Sequence, residues 1–290
     1  MGGDTLLEPV LAFYASQRRD LPWRRPDTTP WGVLVSEVML QQTPVARVEP
    51  VWGAWVRRWP TPAALAVEPA GEAIRAWGRL GYPRRAIRLH AAARECVAEH
   101  RGDLPTTTAE LRRLPGVGDY TAAAVAAFAF RRREVVLDTN VRRVLERVLG
   151  GRESPPGSGP SAVERKRAEA LLPEDPEVAA TWSVAVMELG ALVCRARNPL
   201  CGCCPLLDAC AWRAAGSPAG PARRAQTYDG TDRQVRGRLL ALLRDASGPV
   251  SARTLRAAAS DALQLKRSLD GLVADGLVVA LDDGRYALPA

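Results

Sequence analysis

Apolar residues recur at helical spacing through most of residues 1–212, interrupted by short Pro/Gly turns, and no stretch of any length alternates as a strand does. The segment WGVLVSEVMLQQTP (31–44) predicts a helix over about 30–43. Thr29 is its N-cap, Pro30 sits in its first turn and Pro44 stops it. Trp31, Leu34, Val35, Val38 and Met39 cover most of that surface, and Glu37 and Gln41, one turn apart, share a face. In EVVLDTNVRRVLERVLG (134–150), Val141, Val144, Leu145 and Val148 form the buried stripe of a helix beginning near Asp138–Asn140. LRRLPGVGDYTAAAVAAFAF (111–130) reads as a helix end, a tight glycine turn and an alanine-rich helix.

Two stretches are looser: GRESPPGSGPSA (151–162), a surface loop, and AAGSPAGPARRAQTYDG (214–230), an interdomain linker. Beyond the linker the pattern changes to three helices, QVRGRLLALLRDA, SARTLRAAA and DALQLKRSLDGLVADG. Two short strands about an Asp-Gly turn, LVVALDDGRYAL, close the chain. Three helices and a terminal hairpin resemble a winged helix. Such a domain touches DNA or a protein, or merely covers a surface.

The chain has 290 residues, enough for one large or two to three smaller domains, and 47% of them are hydrophobic. No apolar run approaches the roughly 20 residues that span a bilayer, and MGGDTLLEPV lacks the features of a signal peptide. An intracellular protein is expected. The net charge of +8 favours a polyanionic partner, DNA or RNA first. Nearly all of the basic charge is arginine, because lysine occurs only at 166 and 266. Five of the six cysteines fall within residues 194–210, which without a secretion signal points to metal rather than disulfides.

Several of these residues are candidates for chemistry. Glu37 either lies on a solvated stripe or pairs with an arginine, or it is a carboxyl in an apolar half-closed site. In the last case desolvation makes it a general acid near neutral pH. LPGVG before a helix is either an ordinary glycine turn or a helix-hairpin-helix element, whose free N–H groups suit a DNA phosphate. On this reading Gly116 and Gly118 adopt angles that other residues resist. Asp138 is either the N-cap of its helix or a carboxylate kept ionised by helix N–H groups to face a developing cation. Two carboxylates in unlike settings suit glycosidic cleavage. Cys194, Cys201, Cys204 and Cys210 give C-x6-C-x2-C-x5-C, which suits a four-iron, four-sulfur cluster better than zinc. Cys96 and Cys203 fall outside this spacing. Arg195 and Arg197, in the first loop, either meet phosphates or face solvent.

SEVMLQQT, LPGVGDYTAAA, LDTN and the cysteine spacing, in that order, resemble a MutY-type adenine DNA glycosylase of the helix-hairpin-helix superfamily, which also contains endonuclease III. RRDLPWR (18–24) and LGYPRRAIRLH (80–90) extend the match over roughly residues 5–212. The resemblance implies a mainly α fold of two domains with a cleft between them. An iron–sulfur cluster domain comprises 1–29 and 136–213, and a six-helix barrel domain with the hairpin comprises 30–135. A linker at 214–230 and a small winged-helix-like α+β domain at 231–290 follow. It implies as partner duplex DNA containing adenine mispaired with 8-oxoguanine or guanine, the adenine flipped out for reaction. Glu37 would protonate the adenine and activate water, and Asp138 would stabilise the oxocarbenium-like sugar. Tyr120 and Asn140 would support them. Arg19, Trp23 and Arg24 match positions lining the base pocket. Gln42, Thr43, Leu80 and Tyr82 match residues that fill or probe the gap around the lesion, and Gly116 and Gly118 would hold the DNA backbone. A 4Fe-4S cofactor, a monomer and a cytoplasmic, nucleoid-associated location complete the expectation.

The sequence departs from the family in three places. Residues 231–290 stand where family members carry a larger Nudix-like domain, Thr139 stands where many have glycine, and Val184 is apolar where relatives carry an amide or acid. The endonuclease III-like lyases need an amine nucleophile. This chain has Tyr120 at that lysine's position and its two lysines lie away from every motif, so a monofunctional enzyme is expected. Two alternatives are a thymine or uracil mismatch glycosylase and a non-catalytic iron–sulfur DNA-binding protein. Retention of both Glu37 and Asp138 argues against the second. A Ser–His–Asp hydrolase is poorly supported, since the two histidines, His90 and His100, have no nucleophile motif nearby.

Overall fold

The computed structural model describes residues 4–220 and 229–290, so part of the expected linker, 221–228, lies outside the described residues. In chain order these form α1 (Asp4–Gln17), α2 (Pro30–Leu40), α3 (Val45–Arg58), α4 (Pro62–Ala66), α5 (Ala70–Trp77), α6 (Arg84–Glu99), α7 (Thr108–Leu111) and α8 (Asp119–Phe130). They continue with α9 (Thr139–Gly150), α10 (Ala162–Ala170), α11 (Pro176–Leu192), α12 (Ala211–Ala214), α13 (Asp232–Asp245), α14 (Ala252–Leu255) and α15 (Ala262–Ala274). Three short strands are β1 (Val250–Ser251), β2 (Val279–Ala280) and β3 (Arg285–Ala287). The chain divides into two compact units, described separately below.

The first unit holds the described residues of Met1–Pro30, Thr106–Arg112 and Val117–Arg223. Its core joins Leu6 and Val10 of α1 to Trp182, Val186 and Leu189 of α11 and to the expected stripe of α9. That stripe is buried throughout, Val144 being 1% exposed. Burying such side chains contributes roughly 1.5–3 kcal/mol each. More than the stripe is hidden: Arg142, Arg143 and Arg147 are buried on the same helix, and each has partners. Arg142, for instance, donates from Nε to Glu164 at 2.7 Å. The sequence assignment put 117–135 with the other domain, whereas these residues group here. The reason is packing, since Ala123, Ala124 and Ala127 of α8 form a cluster with Val136 that Met187 of α11 covers.

The second unit holds the described residues of Trp31–Pro105, Arg113–Gly116 and Arg224–Ala290. Every residue of α2 from Trp31 to Met39 is buried, as expected for a helix apolar on all sides. Two indoles fix neighbouring elements to it. Trp52 Nε1 donates to the Gly32 carbonyl at 2.8 Å, and Trp31 Nε1 to that of Trp59 at 3.0 Å. Trp55 meets Trp59 and Trp77 edge-on, with ring centroids 4.7 and 5.8 Å apart.

Residues 231–290 belong to this second unit. Strand β3 pairs antiparallel with β1 and with β2, in the order β1-β3-β2. Strand β1 has no counterpart in the sequence reading, because two residues carry no alternation to detect. Leu239, Leu240, Leu243, Leu255, Leu272 and Leu277 share a core with Ile74 of α5, and Ile87 of α6 packs against it. The module is therefore built onto α5 and α6.

Candidate active site

In the second unit, Glu37 lies in the third turn of α2 and is 7% exposed. The solvated-stripe reading of this acid is thereby excluded. The helix ends at Leu40, three residues short of the expected boundary. Two features account for the early stop. Gln42 takes a left-handed conformation at φ +56, and a distant side chain gathers the helix's last carbonyls. Arg85 Nη1 donates to the carbonyls of Val38 (2.8 Å), Met39 (3.0 Å) and Gln41 (2.6 Å), while Nη2 donates to Gly81 O and Thr43 Oγ1, each at 3.0 Å. Burial lowers the Arg85 pKa to about 10, so it remains a cation at neutral pH.

Arg85 thus binds the 41–43 turn to the 80–82 loop. Thr43 is buried and its hydroxyl donates to the Leu80 carbonyl at 3.2 Å. Leu80 has its side chain buried, 4% exposed, so it contributes a backbone acceptor. The exposed side chains are Gln42 and Tyr82, and Tyr82 also has a left-handed backbone, at φ +48. Left-handed non-glycine residues cost energy and gather at functional loops. Gly116 has φ +81, and a Cβ there would stand 2.7 Å from Cβ of Arg88. Glycine is required on both counts.

In the first unit, Gly118 corrects the sequence reading. Its φ of −92 is ordinary, it caps α8, and a Cβ would meet nothing within 4 Å. Tyr120, in the first turn of α8, packs on the alanine cluster. Asp138 is half-buried at the start of α9, where it serves as the N-cap. As N-cap, its Oδ1 accepts from the Val141 amide at 2.6 Å, and its Oδ2 accepts from Asn140 Nδ2 at 2.7 Å. Surrounding protein pushes the Asp138 carboxyl above the ordinary carboxylate range. The Val141 and Asn140 hydrogen bonds and the Arg143 charge pull against this, and the net direction is upward. Arg143 Nη2 donates to Asn140 Oδ1 (2.8 Å) and to Gly190 O (2.7 Å), and its Nε donates to Cys194 O (2.7 Å). Gly190 permits this approach, since a Cβ on it would lie 2.7 Å from Asn140 Cβ.

Arg19 and Arg24 converge on one acid. Arg19 donates from Nε to Glu188 Oε1 at 2.8 Å and from Nη2 to Oε2 at 2.7 Å, and Arg24 Nη2 reaches Oε2 at 2.9 Å. The Glu188 side chain is wholly buried. Its pKa falls to about 2, because these hydrogen bonds and charges outweigh the desolvation that opposes them. Trp23, between the two arginines in sequence, is also buried.

Cys194, Cys201, Cys204 and Cys210 line one depression together with Arg147, Leu206 and Trp212. Among the described residues no three His, Cys, Asp or Glu side chains converge to hold a single metal ion. Burial and the neighbouring sulfurs push the Cys204 thiol up to about 11. Arg147 Nη1 lies 3.4 Å from Cys194 Sγ, its guanidinium stacks over Trp212, and its buried Nη2 has no partner among the described residues. Four sulfurs beside a buried guanidinium are a donor set that a thiolate-bound cluster would accept. Cys203 is exposed and Cys96 is buried in α6.

Residues 35–173 match the HhH-GPD superfamily of base excision DNA repair proteins. The chain is 54% identical over 285 residues to the adenine DNA glycosylase of Mycobacterium tuberculosis (strain ATCC 25618 / H37Rv), covering 97% of this chain and 92% of that one. The chain belongs to the HhH-GPD superfamily, in the MutY-type adenine DNA glycosylase family. A thymine-DNA glycosylase of Aeropyrum pernix is 36% identical over 193 residues, 66% of this chain and 86% of that one. Among solved structures, a thermostable thymine-DNA glycosylase superposes with a TM-score of 0.67 at 26% identity, covering 73% of this chain and 97% of that chain.

In this MutY-type chain, sequence reasoning missed three side chains that organise the site residues: Arg85, Arg143 and Glu188. Glu188 was detectable as a single acid in the apolar helical text WSVAVMELG, the same pattern that exposed Glu37. The two arginines had no such signal among so many. Gly190 was hidden too, since what it adjoins comes from another helix.

Proposed function

We infer that the protein is a monofunctional adenine DNA glycosylase of base excision repair. It hydrolyses the N-glycosidic bond of adenine mispaired with 8-oxoguanine or guanine in duplex DNA, and its solitary acid buried in an apolar helix carries the reading. Glu37 protonates the flipped adenine, so the base departs neutral when its bond to the sugar C1′ breaks. Asp138, held by the Val141 amide and Asn140, faces the cationic sugar in its ionised form. Water, losing its proton to Glu37, adds to C1′ and leaves an abasic site. The raised Asp138 pKa gives the rate an acid limb above the ordinary aspartate range.

A four-iron, four-sulfur cluster on Cys194, Cys201, Cys204 and Cys210 would tie the cysteine loop to α9 and α11. Arg147 would supply positive charge beside the thiolates. Iron and acid-labile sulfide assays of the purified protein should each find four atoms per chain, and Cys204→Ser should lower both. Residues 231–290, with the order α13, β1, α14, α15, β2, β3, support a winged-helix-like reading.

The deciding experiment uses duplexes with a single A opposite 8-oxoguanine, G, C or T, and a G:T duplex, followed by alkali. Breaks at A opposite 8-oxoguanine or G support this function. Breaks confined to T in G:T favour thymine excision, a reading supported by the Aeropyrum relative. A borohydride-trapped Schiff base would contradict the monofunctional assignment.

A further inference from the structure

Tyr82 is 42% exposed and follows Gly81, which is also left-handed at φ +84, so two unusual backbone conformations in succession carry its ring. Two cations flank that ring. Arg85, from beneath the loop, has Cζ 5.4 Å from the ring centroid. The other is Arg233, in the first turn of α13, with Cζ at 4.9 Å. Both lie within the roughly 6 Å over which a guanidinium is held by an aromatic face.

The segment carrying Arg233 is firmly placed. Gln264 Nε2 donates to Gly230 O at 2.9 Å, and Arg267 Nε pairs with its neighbour Asp232 at 2.8 Å. The module is then fixed to the body carrying Tyr82. Arg75 donates to the carbonyls of Arg244 and Ala246, Arg244 to that of Gly78, and Gly71 N to that of Pro289 at 2.7 Å. Arg84 meets Asp275 at 3.0 Å. A Cβ on Gly71 would stand 2.6 Å from Pro289 O, so the two backbones touch.

We propose that Arg233 is a positioning residue that holds the Tyr82 ring in the orientation in which it meets the mispaired duplex. The proposal rests on the glycosylase reading above, taking from the family resemblance only that Tyr82 meets DNA. Arg85 anchors the loop and Arg233 orients its tip, so discrimination among bases opposite adenine depends in part on the C-terminal module.

The test is a double-mutant cycle on the full-length protein, using Arg233→Ala, Tyr82→Leu and their combination. Dissociation constants are measured by fluorescence anisotropy for duplexes holding A opposite 8-oxoguanine, G or C, alongside single-turnover rates at saturating enzyme. Arg233→Ala is expected to weaken binding of the A:8-oxoguanine duplex roughly 2- to 5-fold, as for one cation–π pair, and to narrow its preference over A:C. The loss should fall on affinity rather than on the saturated rate. Arg233→Lys should recover most of it, and the double variant should bind no worse than Tyr82→Leu alone. Additive losses would overturn the proposal, as would no loss for Arg233→Ala or equal loss on every duplex. Should the wild-type protein release no adenine, the glycosylase reading fails separately, and coupling in duplex affinity still decides the role of Arg233.

Discussion

Glu188 is a carboxylate removed from water and held ionised by two guanidiniums, which ties stability to pH. Its folded pKa, about 2, lies below the ordinary glutamate value of 4.5. The stabilisation is therefore complete above about pH 4.5, declines as pH falls, and is gone below about 2. In Glu188→Gln, Arg19 and Arg24 lose their counter-charge, and breaking such a pair costs roughly 3–5 kcal/mol. Thermal melts should show the variant well below wild type at pH 7 and the gap closing as pH falls below 4.5. A constant gap from pH 7 to 3 would contradict this ion-pair account. Glu37 and Glu188 look alike as text, each a lone acid among apolar residues. The helix carrying Glu37 was legible because it lies in a continuous motif, whereas the arginines of Glu188 are 164 and 169 positions away, and no local pattern joins them.

At the scale of elements, helix α2 and its exit turn depend on Arg85. Arg85→Met would leave the carbonyls of Val38, Met39 and Gln41 without this donor, and each buried acceptor left unsatisfied costs about 1–3 kcal/mol. Calorimetry should find the Tm lowered by at least roughly 6 °C, taking about 2–4 °C per kcal/mol for chains of about 150–250 residues. Duplex binding should weaken as well, because Gln42 and Tyr82 lose their common anchor. An unchanged Tm would show that water replaces the guanidinium without cost. Helices whose information is local were readable, as with the α9 stripe, the Asp138 cap and the left-handed Gly116. The end of α2 was misread by three residues because its last carbonyls are capped from α6. Gly118 was misread because neighbouring glycines look equivalent until their φ values separate them.

For the molecule as a whole, family membership and helical class were legible because four motifs keep their order. The grouping of α8 was not, since an alanine-rich helix carries no distinct face that names its partner. Residues 231–290 read as a tethered appendage, yet Ile74 lies in their core, so a contact across more than 150 positions makes them part of the second unit. The proposed function turns on Glu37 as the proton donor to the base. The most direct test is single-turnover adenine release from the A:8-oxoguanine duplex by Glu37→Gln, with the duplex dissociation constant measured on the same samples. An acid of this kind contributes roughly 10²- to 10⁴-fold, so the rate should fall by at least 100-fold while affinity changes no more than a few-fold. Release within tenfold of wild type would contradict the account.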